Sequence, residues 1–284
     1  MIDTWQYLQD RNRWTNLSAR YSEFGIELPR LVNALYRCFQ RDVEMDDRQI
    51  GVYGLGRLCV EDLLEILFLC EHGFAHAGLK LLRGMFERNV TATYIADNPD
   101  EAQLFHDYMF VQLKRLRDKA EKVYGTPPGS IDDSTFLAKL SSVRSNFSAS
   151  ECDLCHMRRQ LGWSKLSLDA MAVKASEIWK KRYRYAKSEP RQLERAYFYY
   201  ADVANVHIHA SMYGIWLRLK IDSSGNINST RPRDIHEDSV VASAHAMALI
   251  VLETQNQFFA LGLDTVISEL NQHYVEMWSS RGEQ

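Results

Sequence analysis

The stretch from Tyr53 to Ala96 constrains this chain more than any other feature. It contains no proline, and Leu, Ala, Met, Phe and Val recur through it at helical intervals. That spacing predicts one very long helix or two nearly continuous ones. The run ends before Asn98-Pro99, because a residue preceding proline disfavours the α conformation. Pro99-Asp100-Glu101 then opens a further helix, with proline early and acids in the first turn, and it extends to about Tyr124. Gly125-Thr126-Pro127-Pro128-Gly129-Ser130 is the clearest break in the chain.

The same period recurs elsewhere. Thr4 to about Arg41 is helically spaced, with turn signals near Gly25 and Pro29, and Asp42–Asp47 reads as an acidic loop. Further helices are predicted over Ser134–Ser145, Glu151–Leu161, Leu168–Ala186 and Arg191–Leu219, with a last one from about Glu237 to Trp278. Ser188-Glu189-Pro190 is a hinge between two of them, Asp222–Asn226 is a turn, and Ile227–Arg233 is a loop or short hairpin. No stretch alternates apolar and polar residues as a strand would. The fold class is therefore all-α, an irregular multi-helix bundle with long central helices. Residues 1–52 form an N-terminal helical segment and 53–284 the bundle core, as one continuous domain.

Composition removes several function classes. A net charge of -3 gives no global positive excess, so any nucleic-acid contact has to come from a local patch. Met1-Ile2-Asp3-Thr4-Trp5-Gln6 lacks the basic and apolar regions of a secretory signal. The most apolar run, Leu63 to Cys70, falls well short of the ~20 residues a membrane span needs. A cytoplasmic protein without a membrane partner is expected, and its five Cys are then reduced thiols.

Two constellations carry chemistry. On the Tyr53–Ala96 helix, Glu65, His72, His76, Lys80, Arg83, Glu87 and Tyr94 share one sector, and from Leu63 to Val90 nearly every other residue is apolar or small, with Glu71, Arg88 and Asn89 as exceptions. An ordinary wet face is the plainer reading of such a stripe, with a buried structural network or a polar cleft as the alternatives. His72 and His76 have the spacing of two metal ligands on one face, but no acidic residue completes a zinc motif, so no metal is expected. Arg83 and Glu87, four apart, suit an ion pair that orients the arginine. On the Arg191–Leu219 helix, His209 shares a face with Asp202 and Asn205, which could orient its imidazole as a general base requires. A histidine satisfied within the core is the plainer alternative.

Leu81-Leu82-Arg83-Gly84-Met85-Phe86-Glu87, Trp163 followed by the helix Ala170–Tyr185, and Tyr197–Tyr200 leading to His209-Ala210-Ser211 together resemble a bacterial family known only as domain of unknown function 5677. The resemblance spans about Leu58 to Gly214. Asn205 stands where that pattern has serine. Such all-helical proteins are also similar to HEPN-type domains, many of which are RNases of toxin or phage-defence systems. The resemblance implies a protein acting on RNA, and if it is an enzyme, a metal-independent RNase without cofactor. Arg83, Glu87 and His209 would be catalytic, with the arginine stabilising phosphate charge and the histidine moving a proton. His76, Asn205, Lys181, Arg182 and Arg184 would contact substrate. The last three belong to the basic stretch Lys174–Arg195, where Trp179, Tyr183, Tyr185 and Tyr197 are interleaved as stacking platforms would be.

Other signals are weak. Cys152-Asp153-Leu154-Cys155-His156 has haem-attachment spacing in a chain without an export signal. Arg231-Pro232-Arg233-Asp234-Ile235-His236 has the Arg-to-His spacing of an RNase, but its proline places it in a loop. Gly51-Val52-Tyr53-Gly54-Leu55-Gly56 lacks the lysine and preceding strand of a phosphate loop. The alternative to an RNA-acting protein is a non-enzymatic helical module that binds a partner or a second copy of itself, or a small-ligand sensor with the stripe lining a pocket.

Overall fold

The computed structural model describes residues 21–40, 44–125, 133–147, 162–182, 220–221, 224, 227–228 and 237–279. The protein is all-α. The helices are α1 (Ser22–Phe39), α2 (Asp47–Glu71), α3 (Ala75–Asp97), α4 (Pro99–Tyr124), α5 (Asp133–Val143), α6 (Leu168–Arg182), α7 (Glu237–Phe259) and α8 (Asp264–Ser279), with a 3-10 turn at Arg144–Phe147. Lys220–Ile221 and Ile227–Asn228 pair as a two-residue antiparallel hairpin. The predicted helices Glu151–Leu161 and Arg191–Leu219 lie outside the described residues. No described helix is long and apolar enough to cross a membrane.

The described residues group into two compact units. One takes those up to Glu44, Val52–Tyr94 and those from Leu168 onward; the other takes Met45–Gly51 and those within Ile95–Ser167. In the first unit α7 is buried without interruption from Ala244 to Asn256, as a helix apolar around its girth must be. Its polar side chains meet partners from other helices. The Gln255 amide donates to the Val52 carbonyl at 2.8 Å, Glu253 accepts from Asn271 at 2.6 Å, and the Thr254 and Thr93 hydroxyls meet at 3.1 Å. The Trp278 indole N–H donates to His245 Nδ1 at 3.2 Å. In the second unit α4, α5 and the 3-10 turn enclose Tyr108, Val111, Phe136, Leu140, Val143 and Phe147, with Trp163 packed against this core.

Two expectations about helix limits change, and one is decided. The turn signals at Gly25 and Pro29 fall inside α1. Proline in a helix interior costs ~3 kcal/mol. Here α1 buries Phe24, Leu28, Leu31, Val32, Leu35 and Phe39, each worth ~1.5–3 kcal/mol, so packing outweighs the lost bond. The Tyr53–Ala96 run takes the second of its two expected forms, two nearly continuous helices. Gly73, at φ 79, ends α2, where the Phe74 N–H reaches back to the Leu69 carbonyl at 2.7 Å and the Gly73 N–H to Cys70 at 3.2 Å, the paired bonds of a Schellman C-cap. The Glu237–Trp278 run is likewise split. Ala260 takes φ 53 and Gly262 φ 68, and the Leu261 N–H closes on Asn256 O at 3.1 Å. The Asn256 side chain fixes this corner by accepting from Leu263 N–H at 2.8 Å and donating to Asp264 at 3.1 Å.

Gly56 lets α2 approach α7. A methyl group there would press on the Gln255 amide and sit 3.0 Å from the Phe39 ring. Overpacking of this kind costs ~1–3 kcal/mol. We expect Gly56→Ala to lower the unfolding free energy by that amount, read as a lower urea midpoint at constant m-value; an unchanged midpoint would show that the Gln255 amide can move aside.

Candidate functional site

The break between α2 and α3 decides the fate of the polar stripe. His72 lies in the turn after α2 and His76 near the start of α3, so the two are not on one regular helix face. His72 Nδ1 lies 2.8 Å from the Phe68 carbonyl, and its ring lies 4.4 Å from the Phe68 ring. It closes the helix end. Glu65, Lys80 and Glu87 are exposed, His76 and Arg83 half-buried, and Tyr94 buried. Most of the stripe is thus a wet face. Arg83 Nε is buried without a hydrogen bond, and the ion pairs formed along this helical hairpin include Arg57–Glu61 and Arg88–Asp62 but not Arg83–Glu87. Among the described residues no three His, Cys, Asp or Glu groups converge as a metal site would need.

The remaining expected site residues are not brought to this region by anything described. Asn205, His209 and Arg184 lie outside the described residues, as do the side chains of Lys181 and Arg182 at the end of α6. Cys152, Cys155 and His156 also lie outside, as do Arg231, Arg233 and His236.

What the hairpin does assemble is a cluster of the residues that departed from the stripe. Asp62 on α2 accepts from the Arg88 guanidinium on α3. Beside them the Asn89 amide, 2 % exposed, donates to the Met85 carbonyl at 3.0 Å and faces Cys59 Sγ at 3.6 Å. Cys59 in turn faces the Met85 carbonyl at 3.6 Å. Positions 59, 62, 63, 66, 67 and 70 form the buried side of α2, so Asp62 stands in the apolar row itself. Burial raises its carboxyl from 3.8 to about 6, with Arg88 pulling the other way and Glu65 and Glu61 adding to the rise. Burial and the Asp62 charge also push the Cys59 thiol well above its usual value, against Arg88, which leaves it protonated and a poor nucleophile. The cluster therefore offers a proton-binding carboxyl clamped by an arginine, but no activated nucleophile. The signal available in the sequence was an acid embedded in the run Val60–Cys70, with two polar residues off the stripe 26 and 27 positions later.

A family model matches residues 50–227, more than half of the 284-residue chain. The chain belongs to the family of unknown function DUF5677. No curated protein and no solved structure matches it. The DUF5677 region holds the Asp62–Arg88 cluster, nearly all of α2, and α3 to α6 entire. Helices α1, α7 and α8, which complete the first unit's core, lie outside it.

Because the folded Asp62 holds its proton up to about pH 6 and the unfolded one releases it near pH 4, the native state binds more protons between those values. Its contribution is then fully present below pH 4 and is lost as pH rises through 6. We expect the stability of the native protein relative to Asp62→Asn to fall by about 2 kcal/mol between pH 4 and 7. Parallel pH–stability curves for the two proteins would contradict the assignment.

Proposed function

We propose that this protein is a non-enzymatic helical interaction module that docks an acidic amphipathic helix of a partner protein along α4. The observation that carries this is an exposed apolar seam. Met109, Leu116 and Val123 are 42 %, 63 % and 62 % exposed and lie seven residues apart. Leu113, half-buried at the edge of the unit's core, and Ala120 occupy the alternating positions. The resulting 4-3-4-3 spacing is the a/d pattern by which helices pair, and it runs for ~21 Å of helix. Single exposed apolar residues need no explanation, but an aligned row of them on one face does.

Charge selects the partner. Between Lys114 and Lys122 the helix carries Lys114, Arg115, Arg117, Lys119 and Lys122 against Asp118 and Glu121. The flanking position Lys119 is positive, with Lys122 beside it, so a second copy of α4 offers no opposite charge there. A helix with acids beside its apolar row does. A phosphate backbone would satisfy the cations but leave Leu116 and Val123 in water. The RNA-cleaving reading calls for Arg83, Glu87 and His209 in one cleft; Arg83 and Glu87 form no ion pair, and His209 lies outside the described residues.

The test is fluorescence anisotropy with a synthetic helix bearing Leu at its a and d positions and Glu beside them. We expect binding that weakens at least about tenfold in Leu116→Asp and falls with added salt, with unchanged circular dichroism. Equal binding of a Lys-flanked peptide would overturn the charge argument. Salt-dependent RNA binding or RNA cleavage without peptide binding would return the chain to the nucleic-acid class, and a dimer lost in Leu116→Asp would make the occupant a second copy.

A further inference from the structure

The charge beside the exposed row of α4 is confined to one end of it. Around Met109 no fixed charge flanks the row. Gln112 stands on one side and Phe110 on the other, and Asp107 is buried on the far face, accepting from Gln103 at 3.1 Å with Lys139 at 3.5 Å. From Leu116 onward the flank is basic. Two cations of this stretch are already engaged within the unit. Lys114 pairs with Asp118 on the face away from the row, and Arg115 Nη1 donates to the Tyr108 hydroxyl at 2.8 Å, with its guanidinium 5.5 Å from the ring centre. Lys119 and Lys122 are exposed and three residues apart, so they share one side of the helix. Neither forms an ion pair with a described residue. Glu121 lies roughly 200° around the helix from Lys119 and stands off that side.

The ends of α4 carry charges that match its dipole. Asp100 and Glu101 stand in the first turn and Lys122 in the last, where Gly125 at φ 76 closes the helix with its N–H on the Glu121 carbonyl at 2.8 Å. The negative end of the dipole therefore lies beside Lys119 and Lys122. A partner's acids have to lie opposite this end to meet the two lysines. In a parallel helix those acids fall in the last turns, against the negative end of their own dipole. In an antiparallel helix they fall in the first turns, where their own dipole stabilises them and the partner's positive end adjoins the negative end of α4. A second copy of α4 laid antiparallel about Leu116 does not meet the need, because it sets the uncharged stretch Phe110–Leu113 opposite Lys119 and Lys122.

We infer that the partner of α4 is a helix that runs antiparallel to it and carries its acids in its N-terminal half. This rests on the docking of an acidic helix along α4, and adds the direction of the partner and the placement of its charge. Lys119 and Lys122 read that direction. Met109, Leu116 and Val123 supply apolar contact that either direction satisfies.

Two peptides of one composition test this on the full chain by fluorescence anisotropy. Both carry Leu at the a and d positions and have blocked ends. One has Glu beside the row in its N-terminal half and Gln in its C-terminal half, and the other has these exchanged. We expect the first to bind about fivefold more tightly, as two exposed ion pairs and a helix-dipole contact imply. A peptide with acids in its first turns is also the better helix alone, so the preference is compared in the double variant Lys119→Ala, Lys122→Ala, where we expect most of it to vanish. A benzophenone at the N-terminus of the first peptide should photolabel the segment about Val123 rather than that about Met109. Equal binding of the two peptides, an undiminished preference in the double variant, or labelling about Met109 would overturn the direction while leaving the docking itself standing. Binding of neither peptide would overturn both.

Discussion

Burying α7 on every side is the constraint on which the first unit depends. A helix enclosed this fully surrenders water at each polar side chain, and an unpaired buried polar group costs about 1–3 kcal/mol. The surrounding helices are therefore placed where they supply partners as well as apolar surface: α8 brings Asn271 to Glu253 and Trp278 to His245, α3 brings Thr93 to Thr254, and α2 brings the Val52 carbonyl to Gln255. The apolar contacts hold the helices together, and these directional bonds fix which residue faces which. The absence of a Cβ at Gly56 belongs to the same arrangement, because the Gln255 amide occupies that space.

The Asp62–Arg88 pair extends this logic to charge. A carboxylate placed in the apolar row of α2 is costly unless paired, and pairing offsets only part of the cost of taking both ions from water. The residual penalty is visible as a carboxyl that holds its proton to about pH 6. The pair ties α2 to α3 across the Gly73 turn and keeps Cys59 in a setting where it is chemically inert. By contrast, α4 leaves favourable interactions unmade, with Met109, Leu116 and Val123 standing in water. Features of that kind suit binding, because a ligand supplies what the fold omits.

Much of the fold was legible residue by residue. The proline-free run after Tyr53 and the Pro99-Asp100-Glu101 start gave helices where helices are found, since a 3.6-residue apolar period reflects one-sided burial directly. The breaks were harder. Gly73 lies in an otherwise helical pattern, and Ala260 carries no preference for the left-handed conformation it adopts. Its corner is fixed by the Asn256 side chain and by the packing of α8. Pro29 misled in the other direction, because local propensity is a few kcal/mol at most and the buried face of α1 outweighs it. The stripe shows the limit of helical projection. Seven residues in one sector stay together only while the helix continues, and after the turn at Gly73 only the α3 members share a face.

The sequence by itself determined that this chain is helical, where most of its described helices lie, and that it resembles a family whose model it matches over residues 50–227. These follow from short-range spacing and short motifs. Only the tertiary structure decided which polar residues matter to one another. Asp62 and Arg88 are 26 positions apart and Glu27 and His273 are 246 apart, and no periodicity within one helix relates them. Packing also decided that Arg83 and Glu87, with the spacing of an ion pair, do not form one, whereas Arg88 pairs with Asp62 on the helix laid across it.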